Sequence, residues 1–419
     1  MLIFAILTVG FSGLIAQVLL LRELLVSFYG NELIVGIILA NWVFIEAIGA
    51  LILGRVIDRV KKRLLIFGIL NILFVFGFII SLYLARTFKV FLNLTPGLGL
   101  GIGSLFWVSF LILFPVSFAH GGLFSFCAKI HASSTKYVKS SAIARVYFWE
   151  TCGTILAGVV FTYFFIPFLD SFRIAFIVLF LNLVMLWFLY FSRFRKNPLL
   201  VKPVLIFIII AFFLSFKVSD WLQYKSIKAQ WRNQQVLDYA NSIYGNLVVT
   251  KQQEQYTFFH DGLPIVTSPY PDVVFVQEFA HIPLLFHPNP RNILFISGGA
   301  GGLINEVLKN KSVSKIDYVE LDPLILEMVK KYPTQLTQKE LSDERVNVIN
   351  LDGRFFIKNT ILTYDVILLG LNSPSDLQTN RFFTEDFFRE AKRRLNPGGI
   401  LTFTLPGSLA YLSKELKDL

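Results

Sequence analysis

Charge and sulfur are both scarce in this chain: Asp, Glu, Lys and Arg make up 16% of 419 residues, with two cysteines and three methionines. Cys127 and Cys152 have no second pair and no metal-ligand spacing, which excludes a disulfide-stapled scaffold, and no metal is expected. Both lie in or beside apolar runs and read as core thiols. The first apolar run is not expected to be a secretory leader, because it has no basic segment ahead of it and continues through Arg22 and Glu23. That run reads as a membrane anchor.

What the chain has in excess is apolar surface: 55% of its residues are hydrophobic, the mean hydropathy is +0.62, and nearly all the excess precedes residue 217. Seven stretches are long enough, or nearly so, for a bilayer core of about 30 Å: residues 2–27, 32–54, 64–85, 101–126, 145–167, 172–192 and 200–216. The net charge of +11 clusters at their ends, in 54–63, at Lys129, Lys136, Lys139 and Arg145, and at Arg193, Arg195, Lys196 and Lys202. This bias orients a multi-pass protein in the cell membrane with these loops in the cytoplasm, so the expected partner is the lipid bilayer and not nucleic acid. Seven crossings would place the following region outside. If the weak seventh stretch lies in the interface instead, that region is cytoplasmic, and this second arrangement is the expected one.

Polar groups interrupt the stretches at Arg22, Glu23, Asn41, Glu46, His120 and Glu150. Such groups are costly in hydrocarbon unless paired or hydrated, and structural pairing, for instance Arg22 with Glu46, is preferred over a transport pathway. Gly10, Gly13, Gly153 and Gly158 suit close helix contact. The loop GRVIDRVKKR (54–63) resembles the loop between spans two and three of major facilitator transporters, although the chain has only about half the spans of such a transporter.

After Phe216 the pattern changes. Residues 1–216 read as the membrane domain, 217–290 as a linker with a small β-hairpin layer, and 291–419 as an α/β Rossmann-like domain. Expected strands are 292–297, 315–320, 346–350, 365–369 and 400–405, with helices at 303–310, 323–331, 355–359 and 385–395. This alternation implies a parallel, doubly wound sheet with its ligand at the carboxyl ends of the strands. Gly298, Gly299, Gly301 and Gly302 form a turn after the first strand, and Glu320 ends the second, where a carboxylate can accept both ribose hydroxyls. Asp352 and Gly370 to Pro374 fall at the same edge. The dinucleotide spacing fails because the third glycine would fall on Ile304, which favours a nucleoside without pyrophosphate. The alternative is a turn whose glycines serve only packing.

These residues, with Ser242-Ile243-Tyr244-Gly245-Asn246, Phe259-His260-Asp261-Gly262, Gln277-Glu278, His287-Pro288-Asn289-Pro290, Glu320-Leu321-Asp322-Pro323, Asp352-Gly353-Arg354, Tyr364-Asp365-Val366-Ile367 and Asn396-Pro397-Gly398-Gly399, resemble the spermidine synthase family of aminopropyltransferases, and the front end resembles its membrane-embedded branch. The likeness covers about 165 residues, from Ser242 to Pro406. It implies an S-adenosyl-dependent transferase fold, decarboxylated S-adenosylmethionine or a relative as co-substrate, and putrescine or another amine as acceptor. It also implies nucleoside contacts from Gly298, Gly299, Gly301, Gly302, Glu320, Asp352 and Gly353, and substrate contacts from Gln277, Glu278 and Ser373.

The chain departs from that pattern where the amines are handled. Ala300 stands where the family turn has an acid, Gly370 where it has the catalytic acid, Ser373 where it has a substrate-binding acid, and Val276 where it has a tyrosine. No catalytic residue is therefore assigned; Asp272, Glu278 and Asp376 are possible substitutes or plain loop acids. Five strands stand where the family has seven, so the C-terminal strands are expected to be missing; either the chain is truncated, or another chain or segment covers the open edge. Three readings follow: a membrane-bound transferase, a binding module or sensor that has lost the chemistry, and a transporter subunit with a fused nucleoside-binding domain.

Overall fold

The computed structural model describes residues 2–93, 100–134, 139–193, 198–232, 234–371, 374 and 376–405. It divides into two units, Met1–Asn233 and Gln234–Leu419. The first is built from helices: α1 Leu2–Phe28, α2 Glu32–Arg59, α3 Arg63–Phe91, α4 Ile102–Ser134, α5 Lys139–Val160, a π-helical turn Phe161–Phe165, α6 Ile166–Phe168, α7 Ser171–Arg193 and α8 Pro198–Gln230. Six of the apolar helical segments among the described residues are long enough to cross a bilayer. Their outward residues, such as Phe44, Leu73, Trp107, Leu111 and Tyr163, are exposed although apolar. The fifth stretch is not one regular helix, because the π-turn adds a residue to a turn within it.

Polar side chains in this unit are buried against one another, but not in the expected pairing. Glu23 receives two bonds from Arg86, from Nε at 2.7 Å and Nη2 at 2.6 Å, and one from the Ser171 hydroxyl at 2.5 Å. Arg86 also donates to Gln223 and Ser226 of α8. Glu46 therefore pairs not with Arg22 but with His120 Nδ1 at 2.8 Å and the Trp42 indole at 3.0 Å. Asn41 donates to Ser109, and Asn71 to Asn182. Gly10 and Gly153 do bring α1 and α5 together: a Cβ on either would fall 2.2 Å from a backbone carbonyl oxygen of the other helix. Gly13 makes room for the His120 ring in the same way, whereas Gly158 has ordinary clearance. In the 54–63 segment, Asp58 pairs with Lys129, which also donates to the Gly54 carbonyl at 3.1 Å.

The seventh stretch lies in α8, which is not among those six segments. The helix α8 lies antiparallel against α7: Arg173 bridges Asp220 at 3.0 Å, and two turns along the Phe180 and Phe212 rings meet at a tilt with centroids 4.2 Å apart. The helix passes the expected boundary at residue 216 and ends at Gln230.

The second unit opens with an antiparallel meander, β1 Gln235–Asn241, β2 Asn246–Gln252, β3 Gln255–His260 and β4 Leu263–Ser268, followed by α9 Val273–Phe286. The elements β5 Asn292–Ile296, α10 Leu303–Leu308, β6 Lys315–Glu320, α11 Pro323–Lys331, α12 Gln335–Ser342, β7 Val346–Asn350, α13 Gly353–Asn359, β8 Tyr364–Leu369, α14 Leu377–Asn380, α15 Glu385–Arg394 and β9 Leu395–Phe403 follow. The larger sheet has the order β7-β6-β5-β8-β9, and every pairing in it is parallel. Its central strands are near-continuous apolar runs because both faces are covered. The helices start where the sequence supplies oxygen acceptors: Asp272, Asp322, Thr334, Asp352, Asp376 and Thr384 each accept a backbone N–H of the first turn. The chain order reverses at β5, so the carboxyl ends of β5, β6, β7 and β8 surround one crevice.

Candidate nucleoside site

The turn after β5 holds four of the expected residues, Gly298, Gly299, Gly301 and Gly302. Ser297, Gly298, Gly301 and Gly302 all have positive φ, from 56° to 120°, which carries the chain from strand to helix in few residues. Gly298 and Gly370 meet backbone to backbone: a Cβ on Gly298 would fall 2.1 Å from the Gly370 carbonyl oxygen, and one on Gly370 would fall 2.3 Å from that of Ser297. Gly299 packs against Tyr318 and Ile304. The far part of the turn is sealed, since Gly301 lies against Val266, and Gly302 against Pro271 and Val276. Ala300, only 5% exposed, is in that sealed part, while Ser297 and Gly298 remain half-buried.

Glu320, at the end of β6, is 5% exposed and fully bonded. It accepts the Ser297 hydroxyl at 3.0 Å, the Tyr318 hydroxyl at 2.9 Å and the Leu321 N–H at 3.0 Å, with a further bond from the Gly298 N–H. Burial pushes its carboxyl above the ordinary value, and these donors partly draw it back. A ribose hydroxyl can replace the Ser297 hydroxyl at this carboxylate without leaving an acceptor unmade.

Asp352 caps α13 through the Phe355 N–H at 2.9 Å, and its other oxygen pairs with Arg381 at 2.5 Å. Gly353 leaves no room for a side chain, since a Cβ would fall 2.4 Å from Ile296 Cγ2. Gln277 and Glu278 are exposed on α9, and their neighbour Val276 is the residue that packs at the turn. Ser373 lies outside the described residues. Two of the candidate substitute acids have local roles: Asp272 caps α9 and Asp376 caps α14. Among the described residues no cluster of three His, Cys, Asp or Glu side chains could hold a metal ion.

The other resembling motifs hold the unit together. Ser242 donates to Asp322 at 2.6 Å, Asn246 N–H to Asp261 at 2.8 Å, and Asp365 accepts the N–H groups of Arg291 and Asn292 and the Asn396 amide. Asp322, only 3% exposed, thus ties the meander to the larger sheet. One residue of the turn was missed in the sequence. Glu340 of α12 is completely buried and accepts three backbone N–H groups, from Gly301 at 2.9 Å, Gly302 at 2.6 Å and Asn305 at 3.0 Å. No local motif signals it, because its partners lie 35 to 39 residues away.

Residues 274–415 match the Spermine/spermidine synthase domain. This stretch, about a third of the chain, is similar to the spermidine synthase family. The polyamine aminopropyltransferase of Leptospira interrogans is 27% identical over 263 residues, covering 62% of this chain and 52% of the relative. That of Methanocaldococcus jannaschii is 38% identical over 135 residues, covering 32% and 45%, and that of Bacillus mycoides is 38% identical over 166, covering 38% and 59%. The chain therefore spans about half the length of the curated relatives it matches. A crystal structure of a spermidine synthase with the transition-state analogue AdoDATO aligns at a TM-score of 0.36 and 29% identity, covering 38% of this chain and 55% of that one.

Proposed function

We propose that this chain is a membrane-anchored member of the spermidine synthase family that binds an S-adenosyl compound, with the nucleoside half of the site kept and the amine half altered. The observation that carries this is the Glu320 carboxylate at the end of β6, held 3.0 Å from the hydroxyl of the glycine turn by which a ribose would enter. The relatives are named polyamine aminopropyltransferases, and the resemblance to that family implies decarboxylated S-adenosylmethionine as the co-substrate. Transfer of an aminopropyl group to putrescine needs a group that accepts a proton from the attacking amine. At the two described positions where the family has acids this chain has Ala300 and Gly370, which have no such group. This favours binding without classical transfer, a sensor or a carrier for a different acceptor. The six long apolar helices, with apolar residues on their outer faces, support the membrane anchor.

The test is calorimetric titration of the full chain in detergent with decarboxylated S-adenosylmethionine, S-adenosylmethionine and methylthioadenosine. Glu320→Ala should weaken binding about tenfold or more, the loss of one or two charged hydrogen bonds. No heat with any of the three compounds would sink the reading. Product formed from putrescine at a rate typical of enzymes would reject the non-catalytic form of it.

A further inference from the structure

In a dinucleotide-binding turn the backbone N–H groups at the start of the helix receive phosphate. In this chain they are already taken. Gly301, Gly302 and Asn305 donate to the two oxygens of Glu340, which is fully buried beneath a turn sealed by Val266, Pro271 and Val276. An acidic side chain buried among donors is stable only while they hold it, and the donors are satisfied only while it is there. Turn and carboxylate therefore fix each other. We propose that Glu340 is the positioning residue of the nucleoside turn and the reason this turn takes an unphosphorylated nucleoside; the assignment rests on the nucleoside-binding reading above. By filling the donors from the protein side, it holds Ser297 and Gly298 where Glu320 meets the ligand, and it leaves no backbone donors of this group for a phosphate. Glu340 acts through the turn and touches no reacting atom.

The test uses the full chain in detergent. Methylthioadenosine affinity is measured for the wild type and Glu340→Ala, with formate or with chloride at equal ionic strength. Glu340→Ala should bind about tenfold more weakly, and formate, whose carboxylate can refill the vacated position, should restore most of the loss. The wild type should not bind adenosine diphosphate. Unchanged affinity in Glu340→Ala, a loss that formate does not restore, or equal wild-type binding of both nucleosides would each overturn the assignment. If the wild type binds no nucleoside, the functional reading fails by itself, and thermal unfolding then decides: formate must raise the midpoint of Glu340→Ala and leave the wild type unmoved. Glu340→Gln, which keeps the shape, covers the case in which the alanine variant does not fold. Its single acceptor oxygen can serve Gly302 and Asn305 but not Gly301, so faster hydrogen exchange at Gly301 alone supports the assignment, and unchanged exchange at all three rejects it.

Discussion

Glycine at position 370 does more than omit a carboxylate. Its backbone and that of Gly298 touch so closely that a Cβ at 370 would fall 2.3 Å from the Ser297 carbonyl oxygen. Gly370→Asp should therefore cost about 1–3 kcal/mol of stability and fail to create aminopropyl transfer to putrescine, as read by thermal unfolding and product assay. An active, stable variant would show that the missing acid alone silences the site. Glu340 makes a different prediction. Burial pushes its carboxyl up to about 7 from 4.5, with Glu306 adding repulsion. An acid whose value rises on folding contributes its full stability below 4.5 and loses it as pH rises through about 7. The wild type should thus lose up to about 3 kcal/mol relative to Glu340→Gln between about pH 4.5 and 7, measured by unfolding across that range. A constant difference between the two proteins would contradict this.

At the scale of elements, the strands of the parallel sheet were legible because burial on both faces leaves apolar runs such as Ile293–Ile296 and Val366–Leu369. The helix α12 was not: Gln335–Ser342 is polar along most of its length, and its importance lies in one buried acid with distant partners. The helix α9 was hidden for the opposite reason, since Val273–Phe286 exposes Val274, Leu285 and Phe286 and gives no amphipathic signal. The presence of buried pairs in the bundle could be read from sequence, but not the choice of partners, because facing helices set it. The Glu23–Arg86 pair shows the consequence. Arg86→Ala should destabilise the bundle by about 3–5 kcal/mol by stranding Glu23, whereas Glu23→Leu with Arg86→Met should recover most of it. Thermal unfolding in detergent measures both; equal losses in the two proteins would mean that shape, not charge, holds α1 to α3.

For the molecule as a whole, the helical unit has two chemically different ends. The segment 54–63 and Lys129 lie at one end of the bundle, joined by the Asp58–Lys129 pair. Glu23, Arg86, Ser171, Gln223 and Ser226 gather at the other end, so α8 leaves the bundle opposite the basic loops. If the basic loops are cytoplasmic, a cysteine placed at an exposed position of the second unit, such as Ile361, should react with an impermeant maleimide in intact cells, and the chain should stay in the membrane pellet after carbonate extraction. Labelling only after lysis would return the second unit to the cytoplasm. An outward position favours a sensing or capturing role over a transferase. It also bears on biogenesis. The 186 residues from Gln234 to Leu419 would have to be translocated unfolded and acquire their sheet on the far side. Both cysteines of the chain precede them, so no thiol is carried across, and this unit would fold to the same state whether its surroundings were oxidising or reducing.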